Sequence, residues 1–381
     1  MRAGPASRSA APLAAIATLL TISLLLRTGV FDGVGQYSDI VHLYRRDDLA
    51  AHPAPYFDYR LEYPVLIGAF QWLAGFAGAS DELYFVASAT ALGALAVASV
   101  WLLSKLRGAN PWLLAAAPAA VFWGVQNWDF VGICPLVGAL VLFERGRDAW
   151  GAAVLALAVS AKFFPIVVLP VVVVVRLAES RWRAAGAVVA VFAVITVAIN
   201  APVAVGGGEP GVLRDGWTYF FEFSRDRPAE NTLWSSAPDV VPEVNRATAL
   251  LLALGIGAIL ALTFHSIRIG RDALVPASAA GLLWLFASSK LYSAQFALWI
   301  MLALALASVP FWAAAIFATV DVLFFITLWG GLPWLADLPD AARQVVTILL
   351  AFHVALMLHR TLPAPIAGPL RAESSSSGLG G

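Results

Sequence analysis

The sequence predicts an all-α polytopic membrane protein, and three observations carry that expectation. Of 381 residues, 60% are hydrophobic and only 13% are charged, about half the charge of an average soluble domain. Mean hydropathy is +0.81. Long apolar runs recur along the chain between short polar segments, more apolar surface than a water-soluble fold of this size could bury. Lys and Arg number 24 and Asp and Glu also 24, so there is no basic footprint for nucleic acid. A single cysteine, Cys134, excludes a disulfide framework and a cysteine-rich metal site. Soluble enzyme, DNA-binding protein and secreted module are excluded together.

In chain order, the first apolar run, 11–30, lacks a small-x-small cleavage site and runs into Arg27, which predicts a retained anchor rather than a removable signal. The stretch 31–63 is polar and aromatic. Residues 64–78 are apolar but too short to span, so they are expected to lie along the interface. Asp81 and Glu82 open a span at 82–104. Four short runs follow, 112–125, 130–143, 149–161 and 165–177, and read as two helical hairpins. The alternative, one long span over 149–177, would bury Lys162 in lipid at about 2.5–3.5 kcal/mol or more. Further spans are expected at 184–203, 247–264, 273–288, 294–308, 310–328 and 341–358, with a long polar loop at 204–246. About twelve spans result, at about 20 residues each with shorter ones where the bilayer thins. The reading is one integral domain over 1–369 and a small, polar, disordered tail over 370–381.

Orientation follows from Lys and Arg. Arg2 and Arg8 place the N-terminus in the cytoplasm. The implied inner loops hold Lys105, Arg107, Arg145, Arg147, Arg176, Arg181, Arg183, Arg268 and Arg271, with Arg360 and Arg371 in the cytoplasmic tail. The acids gather on the other face.

Four polar clusters stand at the expected outer helix ends: YSDIVHLYRRDD (37–48), QNWD (126–129), KFFP (162–165) and SSKLYSAQ (288–295). Hairpin arms of 13–14 residues reach about 20 Å, so their tips fall below the membrane surface, in a crevice. Carboxylates and lysines in a crevice open to lipid and water suit chemistry on a lipid phosphate. Sugar transfer needs a group that takes the acceptor proton, for which Asp39 and Asp129 are candidates. It also needs cations at the departing phosphate, for which Lys162 and Lys290 are candidates. Each has a plainer reading: Asp39 as cap of a helix beginning near Ile40, Asp129 as a turn residue, the lysines as snorkelling groups. Glu62 also reads as a residue before a proline-initiated helix, and Asp321 as an interhelical hydrogen-bonding group.

The run YSDIVHLYRRDDLAAHPAPYFDYRLEYPVL resembles the first outer loop of the GT-C-type membrane glycosyltransferases of family 87, polyprenyl-phosphate-mannose-dependent enzymes common in actinobacteria. The resemblance rests on Tyr37-Ser38-Asp39, Pro55-Tyr56 and Glu62-Tyr63-Pro64. It extends through Asn127-Trp128-Asp129, Lys162-Phe163-Phe164-Pro165 and Lys290-Leu-Tyr-Ser-Ala-Gln295, over about residues 10–305. The chain departs from the family pattern at Val65 and at Ser293-Ala294-Gln295-Phe296. It also has no late-loop histidine to partner Asp39.

The resemblance implies a GT-C-like fold and an inverting hexose transfer, most simply of mannose, from a polyprenyl-phosphate donor to a hydroxyl on a lipid or glycan acceptor. The reaction would take place at the outer face of the cell membrane and needs no nucleotide cofactor, and no acidic pair in the sequence is spaced like a metal site. It implies Asp39 as catalytic carboxylate and Asp129 as second acid, with Lys162, Lys290 and Arg60 at the donor phosphate. Tyr37, Ser38, Glu62, Tyr63, Gln126, Asn127, Tyr292 and Gln295 would contact substrate. The rival readings are a transporter or flippase of a lipid-linked sugar, which would require midplane charges and repeated halves, and a membrane scaffold for envelope synthesis.

Overall fold

The structure, a computed structural model, describes residues 7–28, 37–78, 80–206, 213–236, 240–329 and 337–358. It is 78% helical with no strand among the described residues. The helices are α1 (Ser7–Arg27), α2 (Asp39–Arg46), α3 (Val65–Gly75), α4 (Asp81–Leu103), α5 (Trp112–Ala115), α6 (Pro118–Trp123), α7 (Asp129–Glu144) and α8 (Asp148–Ala161). They continue with α9 (Val168–Ala178), α10 (Trp182–Gly206), α11 (Leu213–Asp226), α12 (Val241–Arg268), α13 (Leu274–Ser288), α14 (Phe296–Ala307), α15 (Phe311–Trp329) and α16 (Asp337–Met357). The chain is a helical membrane protein.

Five helices are long and apolar enough to cross a bilayer: Ala10–Arg27, Asp81–Leu103, Trp182–Gly206, Val241–Arg268 and Phe311–Leu328. The other expected spans are helical too; α16 runs 21 residues, and the rest are shorter than a full crossing. The expected run 112–125 is two pieces, α5 and α6, because Pro118 excludes the helical conformation at Ala117, which is extended at φ −70°, ψ 128°. The expected tail, 370–381, lies outside the described residues.

The region 149–177 is a hairpin. Asp148 opens α8 and Arg176 lies in the last turn of α9, and they form an ion pair at 2.7 Å. Arg181 binds the same carboxylate at 2.6 Å, and Arg176 also donates to the Phe143 carbonyl at 2.7 Å. The two arms therefore return to one level, and Lys162, extended at φ −140°, ψ 130°, makes the tip.

Every residue of α14 is buried, as a helix apolar on all sides must be. It packs on α13 and α5, with α7 and α6 alongside. The outer helices show the reverse: Val194, Val197, Leu250, Leu254 and Leu349 are each at least 60% exposed, a surface suited to lipid and not to water. Asp321 on α15 is the interhelical group expected. It accepts from Trp123 Nε1 at 3.0 Å and pairs with Arg343 of α16 at 3.4 Å.

Candidate functional site

The segment 37–40 is fixed by its own cap and by the tip between α6 and α7. Ser38, not Asp39, caps α2: its Oγ accepts from Ile40 N–H at 3.2 Å and donates to the Gln126 carbonyl at 3.2 Å. The Asp39 N–H donates to the same carbonyl at 3.0 Å. Relieved of capping, the Asp39 carboxylate turns inward. Oδ1 accepts from the Tyr37 hydroxyl at 2.8 Å and Oδ2 from Asn127 Nδ2 at 2.7 Å. Burial pushes the Asp39 carboxyl above the usual aspartate value of 3.8, against the opposing pull of Asn127, Tyr37 and the Lys162 charge. Burial, with Asp39's charge added, raises the Tyr37 hydroxyl as well.

Asn127 is the hub. Its Oδ1 accepts from Lys162 Nζ at 2.9 Å and from Trp128 N–H at 2.6 Å, which fixes the orientation of the amide. Its Nδ2 also donates to the Tyr63 hydroxyl at 2.7 Å. Lys162 Nζ stands 4.8 Å from the centre of the Tyr63 ring, a cation–π contact, and 3.4 Å from Asp129 Oδ1. That oxygen accepts from Trp299 Nε1 at 2.7 Å.

Two glycines make this geometry possible. A Cβ on Gly132, one turn beyond Asp129, would stand 2.9 Å from Lys162 Cβ and 3.1 Å from Trp299, so only glycine lets α7 approach the lysine stem this closely. A Cβ on Gly68 would fall 2.4 Å from the Tyr56 ring. Tyr56 sits there at φ 69° and donates its hydroxyl to the Tyr63 and Pro64 carbonyls at 2.9 and 2.8 Å. That clamp sets the direction of Glu62-Tyr63-Pro64.

A cavity of about 970 Å³ opens above these groups. Tyr37, Asp39, Glu62, Tyr63, Gln126, Lys162, Lys290 and Gln295 all line it. The other expected residues do not. Ser38 and Asn127 are buried behind Asp39, and Asp129 is fully buried behind Lys162. Tyr292 turns into the core, its hydroxyl 2.8 Å from Thr347 and its ring under Arg343. Arg60 lies outside the cavity with its guanidinium 5.9 Å from the Tyr219 ring. The cation lining the wall from this loop is Arg46, whose fork holds Glu62 at 2.6 and 2.8 Å. Arg46 lies inside the quoted first-loop run, but only its position on the face of α2 that carries Leu43 and Asp39 to the cavity singles it out.

Lys290 also differs from expectation in its commitments. Its Nζ donates to the carbonyls of Arg225 and Arg227 at 2.7 and 2.6 Å, stapling the loop after α11 to the one before α14. Burial holds its ammonium below the usual lysine value. From α11, Phe220, Phe221 and Phe223 close one side of the cavity, with Phe221 at 5.8 Å from the Phe163 ring. Among the described residues no group of three or more His, Cys, Asp or Glu is placed to hold a metal ion.

The chain matches no protein-family model and no curated protein. Chemically, the cavity offers a carboxylate poised to take a proton, an ammonium connected to it through one amide, a guanidinium–carboxylate fork and an aromatic wall.

Proposed function

We propose that the chain is a GT-C-type membrane glycosyltransferase, similar to family 87. It would move a hexose, mannose in the simplest case, from a polyprenyl-phosphate donor to a hydroxyl acceptor. The observation that carries this reading is the single cavity in which Asp39, Lys162 and Lys290, drawn from three distant parts of the chain, line one space beside apolar helices. In the proposed topology about twelve helices or half-length hairpin arms traverse the membrane. Both termini are cytoplasmic, α3 lies along the outer interface, and the cavity faces the outer leaflet.

The reaction is a single displacement. The acceptor hydroxyl gives its proton to Asp39 as its oxygen bonds to the anomeric carbon. The bond from that carbon to the phosphate oxygen breaks, and the electron pair leaves with the polyprenyl phosphate. Attack from the face opposite the leaving group inverts the configuration. Lys162 stabilises the departing charge, as does the N–H of Lys290 not used on carbonyls. Asp129 holds Lys162 in place from behind, which is a supporting role rather than that of a second acid.

The test is transfer of radiolabelled mannose from polyprenyl-phosphate-mannose in proteoliposomes, with a host lipid extract as acceptor, for wild type and Asp39→Asn. Product from wild type and none from an equally folded variant supports the reading. Equal product from both removes Asp39 from the mechanism. Donor moved across the bilayer without transfer would show a flippase instead.

A further inference from the structure

We propose that the part of the cavity wall built by residues 224–231 and 288–295 is a binding subsite for a neutral saccharide, the sugar end of the acceptor. The assignment of that saccharide as acceptor rests on the transferase reading; the subsite itself does not. Four side chains define it: Ser224 at the end of α11, Asn231 beyond it, and Ser293 and Gln295 ahead of α14. All four line the cavity and are half-buried. Their side chains make no hydrogen bond to any other described residue, unlike Asp39, Lys162, Glu62 and Arg46 in the same cavity. Two hydroxyls and two carboxamides supply both donors and acceptors. A sugar hydroxyl, which donates and accepts at once, is matched by such a set.

The charges on this part of the wall are already committed, which decides against a second anion. Lys290 spends two of its three N–H groups on carbonyls, its third being the one assigned above to the donor phosphate, and Arg227 is paired with Glu230. A phosphate would call for uncommitted cations, and these segments offer uncommitted neutral groups. Phe223, with the Arg227 guanidinium 5.3 Å from its ring centre, and the edge of the buried Phe296 border the same space.

The wall is also built in advance. Glu230 N–H donates to the Lys290 carbonyl and Tyr292 N–H to the Glu230 carbonyl, each at 3.0 Å, and Thr232 Oγ1 donates to the Lys290 carbonyl at 3.2 Å. These bonds hold Asn231 at φ 56°, a left-handed conformation that asparagine tolerates better than most residues. Four side chains held by paired backbone form a site with little ordering cost on binding.

The experiment is saturation-transfer NMR on the full chain in nanodiscs, with methyl α-mannoside and α-1,6-mannobiose as neutral probes and inositol 1-phosphate as the anionic one. The proposal expects the neutral sugars to bind and inositol 1-phosphate to compete poorly. Binding should weaken about tenfold in Asn231→Gly/Gln295→Ala, a change equal to about 1.4 kcal/mol. Glycine at 231 keeps the left-handed backbone unstrained, and Ser224→Ala/Ser293→Ala is a second pair should the first unfold. Preferred binding of inositol 1-phosphate that the double variants abolish, or unchanged sugar binding in both folded double variants, overturns it. Sugar binding without any mannose transfer by wild type would sink the transferase reading and leave the saccharide subsite standing.

Discussion

Asn127 joins Asp39 to Lys162: one end of its carboxamide donates to the carboxylate at 2.7 Å, and the other accepts from the ammonium at 2.9 Å. An acid and a base buried near each other would ordinarily collapse into a direct pair. The amide between them keeps the carboxylate available to a proton from the cavity and the ammonium available to an anion there. Asp129 and the Tyr63 ring hold the lysine from behind.

Asp39→Asn removes the proton acceptor while keeping shape and most hydrogen bonds. Sugar transfer is expected to fall by at least about 100-fold, the usual share of a general base. The melting temperature in detergent should hold or rise, because the native environment disfavours the Asp39 charge. A fall in transfer matched by a fall in melting temperature would count against a chemical role. The same raised pKa sets the pH dependence. Transfer should climb with pH through a midpoint above 3.8, as Asp39 ionises. Stability runs the other way: the folded carboxyl binds its proton more tightly than the unfolded one. The contribution of Asp39 to stability is therefore fully present below 3.8 and is lost as pH rises through the folded pKa. The acid limb of transfer, measured in wild type and in Asp39→Glu, checks the sign.

Asn127 separates positioning from mere packing. Asn127→Asp places a second carboxylate against Asp39, so the proton is held to higher pH and the acid limb should move upward. Asn127→Ala strands the buried donors of Lys162 and Trp128, and about 1–3 kcal/mol of stability should be lost. An aspartate variant whose pH profile matches wild type would make Asn127 only structural.

Lys162 and Asp129 form a buried pair with side chains 7% and 0% exposed. Lys162→Met alone takes the ion partner from a fully buried carboxyl group, at a cost of about 3–5 kcal/mol. Adding Asp129→Asn should restore much of that stability, since the amide oxygen still accepts from Trp299. Transfer should remain lost in both variants, because the Lys162 ammonium is gone and Lys290, with two N–H groups on carbonyls, does not replace it. Chemical denaturation of the two single variants and the double one gives the coupling directly.

Gly132→Ala tests the approach of α7 to the lysine stem. The added methyl meets Lys162 Cβ at 2.9 Å, close to the backbone where the side chain cannot swing clear. About 1–3 kcal/mol of overpacking is expected, together with reduced transfer as Nζ is displaced. Gly138→Ala, on the same helix with its nearest neighbour at 3.7 Å, should change neither.

Composition alone determined that the chain is a helical membrane protein, because the apolar runs cannot be satisfied in water. Helix boundaries were legible nearly to the residue where punctuation is local. Examples are Asp81 and Glu82 opening α4, the Lys162–Pro165 break between α8 and α9, and the polar tip before Asp129. The four clusters that meet at the cavity were legible as well, since polar residues at the ends of apolar helices have few other places to go. Side-chain direction was decided by packing. Ser38 took the cap and freed Asp39, Arg46 rather than Arg60 lined the cavity, Tyr292 turned into the core, and Lys290 was tied to two carbonyls. Each of those outcomes depends on a partner distant in the chain, 16 residues away for Arg46 and more than fifty for Ser38, Tyr292 and Lys290, and neither composition nor spacing encodes which of two neighbouring polar side chains will meet it. Sequence fixes which groups are driven to a helix end by the cost of burying them in lipid; only the tertiary structure, by satisfying some with hydrogen bonds and leaving others open, decides which remain for a ligand.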